Sequence, residues 1–217
     1  MSGYFITFEG GEGAGKTSQI NRLADSLTQQ GHRVVTTREP GGTPESEKIR
    51  GLLVQRNTGH WSPMSEALMM FAARVLHVER VILPALKDDK IVICDRFTDS
   101  TRAYQGYGHG VALSTIEGLV DLTLNGLEPY LTIILDIDPM IGLKRSERRL
   151  ASQAMDIEQR EDRFENLDIS FHEKLRQGFL KIAKQYPSRC YVFDASAAFD
   201  EISKSIWDLS VKSIGSI

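Results

Sequence analysis

Gly10-Gly11-Glu12-Gly13-Ala14-Gly15-Lys16-Thr17 is the stretch of sequence that decides the fold. It follows the apolar run 4–8 and precedes apolar residues at helical spacing, so a strand, a glycine-rich loop and a helix come in that order. The spacing matches the P-loop pattern G-x-x-x-x-G-K-[ST]. In that pattern the backbone wraps a phosphate, the lysine reaches the β and γ phosphates and the hydroxyl coordinates Mg²⁺. We predict that residues 10–18, up to Ser18, bind a nucleoside triphosphate at the helix N-terminus.

Two other interpretations of the glycines fit less well. A dinucleotide-binding fingerprint fails in register, because Lys16 or Ser18 falls where its last glycine or alanine is required. A simple glycine-rich turn between a strand and a helix accounts for neither Lys16 nor Thr17. The pattern therefore favours a triphosphate.

The composition describes an ordinary globular chain. Its 217 residues, 41% of them hydrophobic, predict one α/β domain over residues 1–217. A formal net charge of −3 gives no reason to expect a nucleic-acid or membrane surface, so small-molecule partners are expected. Cys94 and Cys190 adjoin apolar runs and are expected to be buried free thiols in a reducing compartment. With no apolar run of membrane-spanning length and a strand expected almost at once, we predict a cytoplasmic protein.

Five apolar runs alternate with helical patterns along the chain. Alternation of this kind is typical of a parallel sheet flanked by helices on both faces. Ligands bind such sheets beyond the carboxyl ends of the strands, so the residues that follow each strand are the candidates for a site. The predicted strands are 4–8, 34–36, 91–95, 131–136 and 191–193, and an amphipathic helix is predicted over 164–186, before the last of them.

Two of these strands end in a carboxylate. Asp95 and Asp136 each close a continuous apolar run, the pattern of a buried parallel strand that presents an Asp on the Mg²⁺ side of a phosphate site. The residues alone leave both open. We favour Asp95, because Arg96 follows it directly and a polar set suited to binding phosphate and reading a base comes next.

Further candidates lie between the P-loop and Asp95. Arg38 and Glu39 begin a loop rich in Pro and Gly beyond the second strand, where a ligand is expected. Phe71 and Arg74 share one face of a helix predicted from about residue 64 to Pro84 or shortly beyond. A ring there can stack on a base, although Phe71 by itself fits a core position better. A buried arginine, by contrast, needs an anion or carbonyl partner.

Residues of mixed charge occupy approximately 146–165. A solvated helix is the usual interpretation of such a stretch. Phosphoryl transfer, however, needs cations around the moving phosphoryl group, so we predict a small helical or loop lid that supplies an arginine on closure. Arg149, Arg160 and Arg163 are the candidates, and the sequence does not choose between them.

Four signatures occur together and in order. They are EGGEGAGKT at 9–17, TREPGGT at 37–43, FAAR at 71–74, and DRF at 95–97 with Ser100 and YQG at 104–106. Over essentially the whole chain they resemble bacterial thymidylate kinase. The resemblance implies a P-loop kinase fold, transfer of the γ-phosphoryl of ATP to dTMP with Mg²⁺, and a homodimer.

The resemblance also implies roles for single residues. Because the interior of the P-loop, residues 11–14, carries no cation, the catalytic arginine is expected from the lid, and Glu12 is expected to face the sugar of dTMP. Tyr104 matches the ring that selects deoxyribose. The implied catalytic residues are Lys16, Arg38, Arg96, Arg149 and Arg163. The implied dTMP-binding residues are Glu12, Arg38, Glu39, Phe71, Arg74, Arg96, Ser100, Tyr104 and Gln105, and the implied metal ligands are Thr17 and Asp95.

Two other functions are alternatives. Another nucleoside monophosphate kinase, acting for example on dUMP or AMP, needs the same phosphate-binding parts. A P-loop switch that binds guanine nucleotides needs an [NT]-K-x-D sequence after a strand. Residues 86–89, Leu-Lys-Asp-Asp, are the nearest approach, and they lack the Asn or Thr and precede a strand.

Overall fold

The apolar runs predicted as strands form one parallel sheet. The computed structural model describes residues 3–152 and 160–215. Within them the strands are β1 (Tyr4–Gly10), β2 (Val34–Arg38), β3 (Ile91–Asp95), β4 (Leu131–Asp136) and β5 (Cys190–Asp194). All pairings are parallel and the order is β2-β3-β1-β4-β5. The prediction of a five-stranded parallel sheet is confirmed.

Helices connect the strands and cover the sheet. α2 and α3 begin where Thr43 and Ser62 accept a hydrogen bond from a backbone N–H of the first turn, each followed by a proline. The described helices are α1 (Lys16–Gln29), α2 (Pro44–Val54), α3 (Pro63–His77), α4 (Leu83–Lys87), α5 (Thr98–Thr101), α6 (Leu113–Leu124), α7 (Pro139–Ala151), α8 (Ile169–Gln185) and α9 (Phe199–Ile214).

Two π-helical segments continue these helices. Val78–Ile82 joins α3 to α4, so the long helix predicted to end near Pro84 runs to Lys87. Arg102–Gly108 extends α5 and contains Tyr104 and Gln105. The helix predicted over 164–186 begins later, at Ile169, because Phe164 to Leu167 form a turn that packs Phe164 against Tyr104.

The three central strands, β1, β3 and β4, are buried on both faces of the sheet. The side chains of β1 alternate between two apolar clusters, since Ile6 and Phe8 pack with α1 and α9, whereas Phe5 packs with α3 and α6. This arrangement explains why the strands read as continuous apolar runs. No helix in the described part of the chain combines the length and the apolar character needed to cross a membrane.

The sheet order brings the functional candidates to one edge. β1 lies between β3 and β4, and β2 lies beyond β3, so the P-loop, Asp95 and Arg38 all follow the carboxyl ends of neighbouring strands. The connection after β1 leads past β3 to β2, whereas the connection after β3 leads past β1 to β4. The chain therefore leaves these two neighbouring strands in opposite directions, which creates the crevice where such folds bind ligands.

Candidate active site

A cavity of about 770 Å³ opens at the carboxyl edge of the sheet. This volume is within the range of small-molecule sites. The predicted residues that line it are Glu12, Gly13, Gly15, Lys16, Thr17, Ser18, Arg38, Glu39, Arg74, Asp95, Arg96, Ser100, Tyr104, Gln105, Arg149 and Arg160. Those that do not line it are Gly10, Gly11, Ala14, Phe71 and Arg163.

The P-loop wraps around the N-terminus of α1. Gly13 has a φ of 64°, and a Cβ there would collide with the carbonyl oxygen of Gly142 on α7, so only glycine fits. Lys16 donates from Nζ to the carbonyl oxygens of Gly10 (3.2 Å) and Gly11 (3.0 Å). Burial, together with the neighbouring charge of Arg96, lowers the pKa of Lys16. Since no side chain caps α1, its first N–H groups are available to an anion.

The geometry distinguishes the two candidate metal carboxylates. Thr17 Oγ1 lies 3.3 Å from Asp95 Oδ2, and Asp95 Oδ1 is buried without a hydrogen-bond partner among the described residues. Asp136 instead accepts two hydrogen bonds from Arg176, at 2.7 and 2.8 Å. A hydroxyl and a free carboxylate oxygen beside a phosphate cradle are the hard oxygen donors that Mg²⁺ prefers. The residues present therefore fit Mg²⁺ at Thr17 and Asp95.

Arg96 and Glu12 form the floor of the cavity. Arg96 has a φ of 70° and donates to Gly10 O (3.0 Å), Ser100 Oγ (3.1 Å) and Glu12 Oε1 (2.9 Å). The Tyr104 hydroxyl donates to the same Glu12 oxygen. Burial acts to raise the pKa of Glu12, but the charges of Arg96 and Lys16 outweigh it and hold that pKa at about 2. Glu12 is thus an anion that links the P-loop to the segment after β3.

Arg74 and Glu39 form a buried pair on the opposite wall. Arg74 Nε donates to Glu39 Oε2 at 2.6 Å, and Arg74 Nη2 donates to Phe97 O and Thr101 Oγ1, each at 3.1 Å. Its Nη1 is buried and lacks a partner among the described residues. Because Arg74 lines the cavity, this N–H group is available to a ligand carbonyl.

Phe71 lies outside the cavity wall, in the apolar cluster beneath it. Its side chain is buried, and the Arg74 guanidinium lies 4.8 Å from its ring centroid. The predicted stacking of Phe71 on a base stays a prediction. Gln105 does reach the cavity, where its Nε2 donates to Glu66 at 3.1 Å.

The three lid arginines lie in different surroundings. Residues 153–159 of the predicted lid are outside the described residues. Arg149 has a side chain that is 58% exposed and, like Arg160, lines the cavity. Arg160 Nε is buried without a partner in the described ranges. Arg163 donates to Leu53 O (2.5 Å) and Glu66 Oε1 (2.7 Å) and does not reach the cavity.

Sequence reasoning missed two charged residues of this wall. Arg50 on α2 donates to Pro40 O (3.0 Å) and to Glu161 Oε2 (2.7 Å), so it joins the loop after β2 to the segment predicted as a lid. Burial and the nearby charge of Glu12 raise the pKa of Glu165 to about 7. These two residues are recognised as part of the site only by their contacts with residues far along the chain. No local pattern in the sequence could have identified them.

Comparison with known proteins identifies the family. The family model described as "Thymidylate kinase" matches residues 8–206. The chain belongs to the thymidylate kinase family. This is a family of transferases that phosphorylate dTMP with ATP to give dTDP, so the chain is a nucleoside monophosphate kinase. The P-loop switch is therefore set aside.

Individual thymidylate kinases match over nearly the whole chain. The chain is 49% identical to the thymidylate kinase of Caulobacter vibrioides over an alignment of 213 residues, which covers 98% of each chain. It is 46% identical over 207 residues to that of Bartonella quintana, covering 95% of this chain and 94% of the relative. The crystal structure of thymidylate kinase from Ehrlichia chaffeensis superposes with a TM-score of 0.75 at 36% identity, covering 96% and 99% of the two chains. The predicted P-loop kinase fold is confirmed.

Proposed function

We propose that the cavity binds ATP and dTMP together, with the phosphates of ATP on the P-loop and dTMP between Arg96 and Arg74. The observation that carries this arrangement is the position of Glu12. This P-loop residue accepts hydrogen bonds from Arg96 and Tyr104 of the segment after β3. The donor loop and the acceptor residues therefore meet at one carboxylate, within reach of a single phosphoryl group.

The acceptor phosphate needs cations that hold it in line with the γ-phosphoryl group. Arg96 is fixed on the floor, whereas the Arg38 side chain is 50% exposed and forms an ion pair with Glu47 on the surface (3.1 Å). Both guanidinium groups line the cavity and are suited to phosphate oxygens. A phosphate oxygen of dTMP is already anionic near neutral pH, so it attacks without a general base. Catalysis then depends on positioning and on charge stabilisation.

Thr17 and Asp95 hold Mg²⁺ in this proposal. When bound, the ion supplies positive charge to the β and γ phosphates. Lys16 contributes to the same region from the P-loop, and its lowered pKa reflects a buried ammonium group that gains a partner when a phosphate arrives. The missing positive charge of the P-loop interior comes from Arg149 and Arg160, which already line the cavity.

We also propose a homodimer in the cytoplasm. α3 and α6 pack side by side, and they expose Met64, Leu68 and Leu122 on the surface. Both cysteines are free and buried, which suits a reducing compartment. Sedimentation equilibrium is expected to give a dimer for the purified chain and a shift toward monomer for Leu68→Glu. A monomeric wild-type protein contradicts the proposal.

A steady-state coupled assay with a substrate panel tests the function. Turnover of dTMP with ATP and Mg²⁺ is expected to exceed that of dUMP and AMP, and EDTA is expected to abolish it. Preference for AMP or dUMP would show that the cavity reads another base.

A further inference from the structure

Glu9 is a buried carboxylate for which the mechanism above has no role. It is the penultimate residue of β1 and is 0% exposed. Among the described residues, no Lys, Arg or His forms an ion pair with it. Its three hydrogen bonds come from Phe97 N (2.8 Å), Ser100 N (3.2 Å) and Ser100 Oγ (2.5 Å). Burial of a carboxylate without a directly bonded cation is costly, so the position calls for an explanation.

The partners of Glu9 are the residues that hold Arg96. Phe97 follows Arg96 directly, and Ser100 Oγ accepts a hydrogen bond from Arg96 Nη1 at 3.1 Å. Because the Ser100 hydroxyl proton points to Glu9 Oε2, the Ser100 oxygen is more negative and accepts better from the guanidinium. Glu9, Ser100 and Arg96 thus form a chain of hydrogen bonds from the core to the cavity floor.

The backbone at Arg96 needs this support. A φ of 70° is unfavourable for any residue with a side chain, so surrounding contacts must fix it. Glu9 binds the backbone on the far side of Arg96, at Phe97 and at Ser100 in α5. From another direction α5 is held by Asp99, which binds Arg102 (2.9 Å) and Arg189 (2.6 Å). The segment is therefore clamped between two buried carboxylates.

We propose that Glu9 is a positioning residue for the acceptor phosphate, acting through Ser100 and the backbone of Phe97 to fix the guanidinium of Arg96. The inference rests on the proposed role of Arg96 in binding dTMP. Glu9 itself touches neither substrate, because it lies beneath the floor and does not line the cavity.

The protonation state of Glu9 gives the inference a distinctive signature. Burial and the nearby Asp99 carboxylate raise the pKa of Glu9 to about 7. A proton on Oε2 competes with the Ser100 hydroxyl and removes the negative charge that draws Arg96 into place, so positioning improves as pH rises through about 7. The titratable or charged groups around Glu9 are Asp99, Arg96, Lys16, Cys94 and Cys190.

The test compares wild type, Glu9→Gln, Ser100→Ala and the double variant. For Glu9→Gln we expect kcat/KM for dTMP to fall at least about tenfold, since displacing a positioning group by an ångström costs up to about 10²-fold. KM for ATP is expected to stay the same. In the Ser100→Ala background, Glu9→Gln is expected to have little additional effect. The loss of kcat/KM in the double variant is therefore expected to be smaller than the product of the two single losses. Glu117→Gln is the matched control, because within the described ranges the Glu117 carboxylate bonds to Arg102 alone, and this variant is expected to keep wild-type KM values.

The pH profile and the melting temperature separate positioning from simple destabilisation. In wild type, kcat/KM for dTMP is expected to rise with pH around pH 7 for two reasons, ionisation of the dTMP phosphate and ionisation of Glu9. Glu9→Gln is expected to lose only the second contribution, the extra rise. Because the pKa of Glu9 is raised from 4.5 to about 7, the stability that its protonated form contributes is lost as pH rises between these values and is absent above about pH 7. Glu9→Gln at pH 8 is therefore expected to melt no lower than wild type.

Three outcomes overturn the inference: unchanged kinetics in Glu9→Gln, equal increases in both KM values with a lower melting temperature, or fully multiplicative losses in the double variant. If Glu9→Gln does not fold, the wild-type and Ser100→Ala profiles decide, because the extra rise must disappear in Ser100→Ala. If wild type does not turn over dTMP, the proposed function fails instead, and the two failures are distinguishable.

Discussion

Replacement of Arg96 by alanine removes three hydrogen bonds at the centre of the cavity floor. The guanidinium group binds Gly10 O, Ser100 Oγ and Glu12 Oε1 at 2.9 to 3.1 Å. In the proposed function it is also a cation that binds the acceptor phosphate. Arg96 is the largest of the influences that lower the pKa of Glu12 against the effect of burial, so without it that pKa rises from about 2. The variant therefore loses a phosphate partner and weakens the anion that joins the two substrate regions.

The size of the effect follows from the bonds to phosphate. Hydrogen bonds to charged groups contribute about 1.5–3 kcal/mol each, so the loss of two costs about 3–6 kcal/mol of transition-state stabilisation. At about 1.4 kcal/mol per factor of ten, kcat/KM for dTMP falls about 10²–10⁴-fold. Because the P-loop contacts of ATP stay in place, KM for ATP is expected to change little.

Glycine at the same position separates activity from stability. With a φ of 70°, alanine keeps the unfavourable backbone conformation, whereas glycine relieves it. Arg96→Gly is expected to be about 1 kcal/mol more stable than Arg96→Ala, which corresponds to about 2–4 °C in Tm. Both variants are expected to be equally inactive.

Steady-state kinetics with dTMP varied at saturating ATP, together with thermal melts, measure both effects. Arg22→Ala, which removes an exposed arginine from α1, is the control and is expected to behave as wild type. Normal kcat/KM in Arg96→Ala refutes the role of Arg96. Recovery of activity in Arg96→Gly also refutes it, because backbone strain and not the missing guanidinium would then explain the loss.

Six further substitutions test three other site assignments. Asp95→Asn is expected to abolish most of kcat and the dependence of kcat on Mg²⁺. Asp136→Asn is expected to lower Tm but retain kcat, because Asp136 bonds to Arg176. Equal kcat values in the two variants would contradict the assignment of Asp95 as the metal carboxylate. Tyr104→Ala is expected to reduce the preference for dTMP over its ribonucleotide by roughly tenfold, since one substrate group in a pocket changes discrimination between substrates by about 10–200-fold. An unchanged ratio of the two kcat/KM values would contradict the role of Tyr104. Among the arginines of the predicted lid, Arg149→Ala or Arg160→Ala is expected to lower kcat by about 10³-fold. Arg163→Ala is expected to lower Tm instead, because the buried Glu66 loses its ion pair with Arg163. Unchanged kcat in both Arg149→Ala and Arg160→Ala would contradict the lid proposal.

Local pattern explains most of what could be predicted. The P-loop is a contiguous motif, and each buried strand is a contiguous apolar run, so their positions do not depend on distant residues. The start of α8 was placed too early because Phe164 fits a helical apolar stripe, although its ring packs against Tyr104 in a turn. The π segment Arg102–Gly108, which puts Tyr104 and Gln105 at the cavity, leaves no clear periodicity in the sequence.

By itself, the sequence determined the alternation of strands and helices, the triphosphate cradle and the family signatures. Only the tertiary structure placed Asp95 beside Thr17 and Asp136 against Arg176, bonded Arg163 to Glu66 outside the cavity, and set Glu9 beneath Arg96. The physical reason is that each of these outcomes depends on a partner far along the chain. Thr17 and Asp95 are separated by 78 positions, Arg163 and Glu66 by 97, and Glu9 and Ser100 by 91. Such pairs meet only after the sheet order has set which strand ends are neighbours, and no periodicity within one element encodes that order.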